Sequence, residues 1–181
     1  QKRTVRMKDT YTKQLQDNLE VIRSARIKAY MDELTGVRNK NAYRELVEEL
    51  QLSISHHDDT PFAIVVCDVN GLKQVNDEKG HQAGDDYIRE ACALICRIYD
   101  HSPVFRIGGD EFVAVLKGHD YEERENLMKQ MQETVIQNQA DDGVIVASGM
   151  AVFEKGMSVE DVFELADKRM YENKHQLKGA R

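Results

Sequence analysis

Val104-Phe105-Arg106-Ile107-Gly108-Gly109-Asp110-Glu111-Phe112-Val113-Ala114-Val115-Leu116 sets two short apolar, β-prone runs around a glycine pair and two adjacent carboxylates. The runs Val104 to Ile107 and Phe112 to Leu116 predict a hairpin. The glycine pair predicts a two-residue turn with positive φ angles that lets another molecule approach the backbone. Neighbouring side chains on a strand point to opposite faces, so Asp110 and Glu111 are expected to do different work. Read alone, the stretch describes an ordinary Asp/Gly-rich hairpin with two solvated acids, and only the rest of the chain gives it another meaning.

Outward from the hairpin, the chain alternates its periods. Phe62 to Val69 is a continuous apolar run of the kind a central strand buried on both faces requires, and Ile88, Ala91, Cys92, Ile95 and Ile98 follow as a helical stripe. On the other side, Asp120 with Glu123 resembles a capping box for a helix through Leu127, Met131 and Val135. Gly143 then precedes a strand from Val144 to Val152, and Ser158 opens a last helix bearing Val162, Phe163, Leu165, Ala166 and Met170. The order β-α-β-β-α-β predicts an α+β, ferredoxin-like domain, an antiparallel sheet with helices on one face.

Residues 1 to about 30 are highly charged and contain no Pro or Gly, with Leu15, Leu19, Ile22 and Ala29 spaced as a helical seam that Arg26 interrupts. This predicts a helical stalk over 1–30 leading into a domain over 31–181. The stalk is expected to pack on the domain or to pair weakly with a twin. Asp32 to Gly36 breaks the helix, and Asn39 or Asn41 is placed to cap a following helix bearing Tyr43, Leu46, Val47 and Leu50. Because the sequence opens on Gln1, it reads as a fragment with a sensor or membrane anchor upstream.

The 181 residues suffice for one domain with a sizeable core. No apolar run approaches the ~20 residues of a membrane span, so the fragment is expected to make no membrane contact. The net charge of −7 argues against a general nucleic-acid surface, which rests on basic side chains, but allows a small phosphorylated ligand held by a few lysines and a metal. Cys67, Cys92 and Cys96 read as reduced, buried thiols of a cytoplasmic protein.

Asp68 ends the first strand and is followed by Val69-Asn70-Gly71-Leu72-Lys73-Gln74-Val75-Asn76-Asp77. In the expected topology this strand end lies beside the hairpin, so Asp68 and Asp110 are expected to face each other. Two carboxylates with a backbone carbonyl make an oxygen-rich site for Mg²⁺. Gly71 lets backbone N–H groups approach phosphate oxygens, and Lys73 neutralises charge on a transferring phosphoryl group.

Four ordered motifs resemble the GGDEF domain family, most of whose members are diguanylate cyclases. Asp32-Glu33-Leu34-Thr35-Gly36-Val37-Arg38-Asn39 is similar to that family's opening motif, and Asp68 to Asp77 to its D-x-D-x-F-K-x-x-N-D segment. Gly80-His81-Gln82-Ala83-Gly84-Asp85 matches G-H-x-x-G-D, and Arg106 to Phe112 matches the signature. The resemblance implies a nucleotidyl-cyclase palm with additional helices. It also implies condensation of two GTP into cyclic di-GMP in an antiparallel homodimer aligned by an upstream sensor. It places Asp68, the Val69 carbonyl and Asp110 on Mg²⁺, two ions per site, with Mn²⁺ as the other candidate. Glu111, Asp110 and Lys73 become the catalytic candidates. Asn76 and Asp85 would read the guanine, with His81 bordering the pocket and Gly71 and Leu72 beside the phosphates.

The stretch Asp167 to Lys174 resembles a further family motif that places Lys174 on the triphosphate, and Lys178 stands where the family usually has Arg. Asn70 and Leu72 replace the common Asp and Phe. Arg97-Ile98-Tyr99-Asp100 has the letters of the family's inhibitory product site but sits two residues too early, which predicts no standard product inhibition. Two other readings stay open: a catalytically silent GTP-binding or dimerisation module regulating a partner, and a palm cyclase with a mononucleotide product.

Overall fold

A computed structural model describes residues 2–179; the terminal residues of the expected stalk and domain, Gln1 and positions 180 and 181, lie outside this range. The elements are α1 (Lys2–Tyr30), β1 (Arg38–Asn39), α2 (Lys40–Ser55), β2 (Ala63–Asn70), α3 (Leu72–Lys79), α4 (His81–Ile98), β3 (Val104–Arg106) and β4 (Glu111–Leu116). They continue with α5 (Gly118–Glu122), α6 (Arg124–Ala140), β5 (Ile145–Val152) and α7 (Val159–Gly179). The five strands lie in the order β1-β3-β4-β2-β5. Without the two-residue β1, which runs parallel to β3, the remaining antiparallel strands have the ferredoxin-like order.

β2 is buried along its whole length because β4 and β5 flank it and both of its faces are covered. Ala63, Val65, Cys67 and Val69 pack with Ile88, Ala91, Cys92 and Ile95 of α4 and Met131 of α6. Ile64 and Val66 pack with Leu50 of α2 and Val162, Ala166 and Met170 of α7. The expectation of helices on one face is therefore corrected. The added helices cover the second face, which is why the apolar run of β2 does not alternate.

Asn39 caps α2, its side-chain oxygen accepting from the Ala42 N–H at 3.1 Å. Ser158 and Asp161 form a reciprocal capping box at α7: the Ser158 N–H donates to Asp161 Oδ2 at 2.9 Å and the Asp161 N–H to Ser158 Oγ at 3.1 Å. The expected capping box at Asp120 is not formed. Asp120 lies inside the short α5, is buried, and turns its carboxylate to the loop before β3. α1 has no buried residue, and its seam residues Leu15, Leu19 and Ile22 are exposed. Its last turn is tied to the domain through the Ala29 carbonyl, which accepts from the side-chain amides of Asn39 and Asn41. No described helix is long and apolar enough to cross a membrane.

Candidate active site

The two central strands bring the acids together. β2 and β4 pair with Asp68 opposite Glu111, and the Val69 N–H donates to the Asp110 carbonyl at 2.9 Å. The acid directly across from Asp68 is thus Glu111, one residue on from the expected Asp110. Directly paired residues share a face, so Asp68 and Glu111 both point toward α7. The carbonyl of Val69, on the same side of its strand as the N–H, faces the turn.

The turn differs from the expected one as well. Ile107 and Gly108 both donate to the Glu111 carbonyl, so Gly108, Gly109 and Asp110 form a three-residue loop, and neither glycine has a positive φ. The small side chain matters here for space. A Cβ at Gly108 would press on the Glu111 side chain at 3.1 Å, whereas Gly109 faces open space. Arg106 clamps this loop, its guanidinium donating to the Gly109 carbonyl at 2.7 Å and to Asp32 at 3.2 Å. Asp32 also accepts from the Thr35 N–H and hydroxyl. Burial works against its carboxylate, but the bonds from Thr35 and Arg106 outweigh it and hold the group below the usual range.

α7 completes the cluster. Lys174 Nζ lies 3.2 Å from Asp68 Oδ1, with both side chains largely buried. Burial raises the Asp68 carboxyl, and Asp110 and Asp167 add to the rise while Lys174 opposes it. Burial likewise raises Glu111, followed by the charges of Asp167, Asp68 and Asp110. Asp167, whose motif position in the sequence carries no assigned role, thus belongs to this acidic group.

The set fits a hard divalent cation. Asp68, Asp110 and the Val69 carbonyl offer oxygen donors. Asn70 Oδ1, on the face of β2 that Asp68 shares, is buried and has no hydrogen-bond partner among the described residues. A buried unsatisfied oxygen is costly, and a cation or its water shell would satisfy it.

Beside the acids, Asn70, Gly71, Lys73 and Lys178 line a cleft of about 470 Å³. Gly71 takes φ 82° between β2 and α3, a conformation L side chains rarely adopt. Tyr87 braces this junction by donating its hydroxyl to the Asn70 carbonyl at 2.7 Å and accepting from the Ile145 N–H. Leu72 is half-buried and packs on the core. Asn76 lies in α3 against Gly84, and His81 and Asp85 are exposed in the first two turns of α4. In the sequence Arg106 and Asp32 are only motif letters. Their partnership is visible only once β3 and the loop after α1 are side by side.

A ferredoxin-like palm with carboxylates at its central strand ends and a lysine-lined cleft beside them defines the class of this domain. The family model described as diguanylate cyclase, GGDEF domain matches residues 29–180, and the chain belongs to that family. It is 30% identical over 155 residues to the diguanylate cyclase DgcP of Pseudomonas aeruginosa, covering 82% of this chain and 23% of that protein. It is 36% identical over 91 residues to the cyclic di-GMP phosphodiesterase PdeR of Escherichia coli, covering 50% of this chain and 13% of that protein. The chain therefore spans less than a quarter of either relative. The solved coiled coil and GGDEF domain of DgcB from Caulobacter crescentus, in complex with c-di-GMP, superposes with a TM-score of 0.79 at 24% identity. That match covers 97% of this chain and 96% of the other, and it is a likeness of fold.

Proposed function

We propose that this domain is a diguanylate cyclase joining two GTP molecules into cyclic di-GMP with release of two pyrophosphates. The observation that carries this reading is the meeting of Asp68 and Glu111 across β2 and β4, with Lys174 3.2 Å from Asp68. Asp68, Asp110 and the Val69 carbonyl would hold Mg²⁺, or Mn²⁺ in its place, and the metal when bound supplies positive charge beside the reacting phosphate. Glu111 takes the proton of the attacking ribose 3′-hydroxyl, with Asp110 as the alternative acceptor. Lys73 neutralises charge on the transferring phosphoryl group. Gly71, Leu72, Lys174 and Lys178 hold the triphosphate. Asn76 and Asp85 read the guanine edge, with His81 at its border. A site built to pair those donors leaves a carboxylate unpaired when adenine enters.

Each domain holds one GTP, and ring closure needs the 3′-hydroxyl of each nucleotide to attack the α-phosphorus of the other. Catalysis therefore requires two copies face to face, and the exposed seam of the stalk, residues 1–30, is the means of aligning the pair in the cytoplasm on a signal from upstream. The purified chain given GTP and Mg²⁺ is expected to yield cyclic di-GMP on chromatographic separation, with specific activity rising as protein concentration rises. Flat specific activity across the dilution series would exclude the paired mechanism. GTP that binds but stays intact would instead favour a silent regulatory module.

The Asn76 assignment has its own test. A Cβ at Gly84 would overlap the Asn76 carboxamide oxygen and sit 2.8 Å from its carbon. Gly84→Ala is expected to turn that side chain away and raise KM for GTP about tenfold, the worth of one or two hydrogen bonds. The melting temperature should change little, and an unchanged KM would remove Asn76 from the pocket.

A further inference from the structure

We propose that His101, His119 and Asp120 form a binding site for a transition-metal dication of the Zn²⁺ class, which staples the base of the β3–β4 hairpin. This site is independent of the cyclase reading. Asp120 Oδ1 lies 3.3 Å from His119 Nδ1 and 3.7 Å from His101 Nδ1, and one ligand atom from each of the three residues falls within 4.8 Å of the others. Bonds of about 2.0–2.2 Å to a tetrahedral ion put neighbouring ligand atoms roughly 3.3–3.5 Å apart. The carboxylate already meets that spacing toward His119, and a small rotation of the imidazoles brings in His101, whose Nδ1 lies 3.7 Å away.

The carboxylate is also prepared for the task. The Asp120 side chain is 2% exposed, and its Oδ2 accepts from the His101 N–H at 3.1 Å and the Ser102 hydroxyl at 2.5 Å. Those bonds fix the group and aim Oδ1 at the two rings, the kind of outer support that ligating carboxylates carry. A cation close by stabilises a buried carboxylate, and the basic groups within ion-pair distance of Asp120 among the described residues are these two imidazoles. The imidazole side chains are 62% and 66% exposed, so an ion held there has an open path from solvent and room for a water as fourth ligand. Mixed imidazole and carboxylate donors suit Zn²⁺ better than Mg²⁺ or Ca²⁺.

The position gives the site a consequence. His101 stands just before β3 and His119-Asp120 just after β4, so one ion closes the hairpin whose far end carries Asp110 and Glu111. The test is titration of the whole chain with Zn²⁺ alone, with bound metal counted after dialysis and with Co²⁺ as a spectroscopic probe, in wild type, His101→Gln and His119→Gln. Both substitutions are at exposed rings and leave the active-site acids untouched, so any metal held at those acids cancels in the comparison. Wild type is expected to bind one equivalent more than either variant and to melt at higher temperature with Zn²⁺. The variants should bind that equivalent at least about tenfold more weakly, since even outer-shell losses cost that much, and should lose the matching Co²⁺ visible bands. Equal stoichiometry and affinity in all three proteins, or no Zn²⁺ binding by wild type, would overturn the proposal.

Discussion

Glu111→Gln is expected to lower kcat for cyclic di-GMP formation by about 10²–10⁴-fold, the usual contribution of a positioned general base. Gln has the size of Glu and keeps an acceptor but cannot take a proton. The substitution should not weaken the fold. Burial and the charges of Asp167, Asp68 and Asp110 raise the Glu111 carboxyl in the folded chain. A carboxyl raised on folding contributes stability below its unfolded value, and that contribution is lost as pH rises through the folded value. At neutral pH the ionised side chain therefore opposes folding, and the metal-free variant should melt no lower than wild type. Single-turnover product formation and a thermal melt of the same sample check both halves. A kcat within about threefold of wild type would remove Glu111 as the base and pass the role to Asp110.

Gly149→Ala is expected to destabilise the domain by about 3 kcal/mol, at the upper end of ordinary overpacking, or about 6–12 °C in Tm for a chain of this size. A Cβ at Gly149 would overlap the Met170 nitrogen and the Ala166 carbonyl oxygen and sit 2.6 Å from the Arg169 carbonyl carbon. These are backbone atoms of α7, so the clash has no side chain to move aside. α7 must lift from β5, and it carries Asp167, Asn173, which accepts from the Ser148 N–H at 3.0 Å, and Lys174 beside Asp68. Activity should fall even below the melting transition, because the ion pair to Asp68 is displaced with the helix. Gly109→Ala is the control, since its Cβ would meet nothing within 4 Å and φ is not positive. A Gly149→Ala melt within about 2 °C of wild type would show that α7 does not seat on the strand as closely as described.

Much of this was legible in order and period. The apolar run that became β2, the stripe of α4, the cap at Asn39 and the start of α7 at Ser158 are local signals that the folded chain keeps. The misreadings share a cause. Asp120 and Glu123 have capping-box spacing, yet Asp120 serves the loop at His101 and Ser102, which approaches only because β3 and β4 pair. Gly108 and Gly109 were expected to supply positive φ. The three-residue loop needs none, and what Gly108 supplies is room for the Glu111 side chain.

The sequence by itself determined which chemical groups are present and in what order. Four motifs and the stretch Asp167 to Lys174 carry the carboxylates, lysines and glycines of the family, and the alternating periods specify a ferredoxin-like sheet, because side-chain periodicity is a property of neighbouring residues. Only the tertiary structure decided which groups share an environment. The register of β2 on β4 sets Glu111, rather than Asp110, across from Asp68, and the seating of α7 on Gly149 brings Asp167 and Lys174 to the same acids. The physical reason is that a carboxyl's proton affinity depends on burial and on charges within a few ångströms, and those distances are set by pairing between residues far apart in the chain.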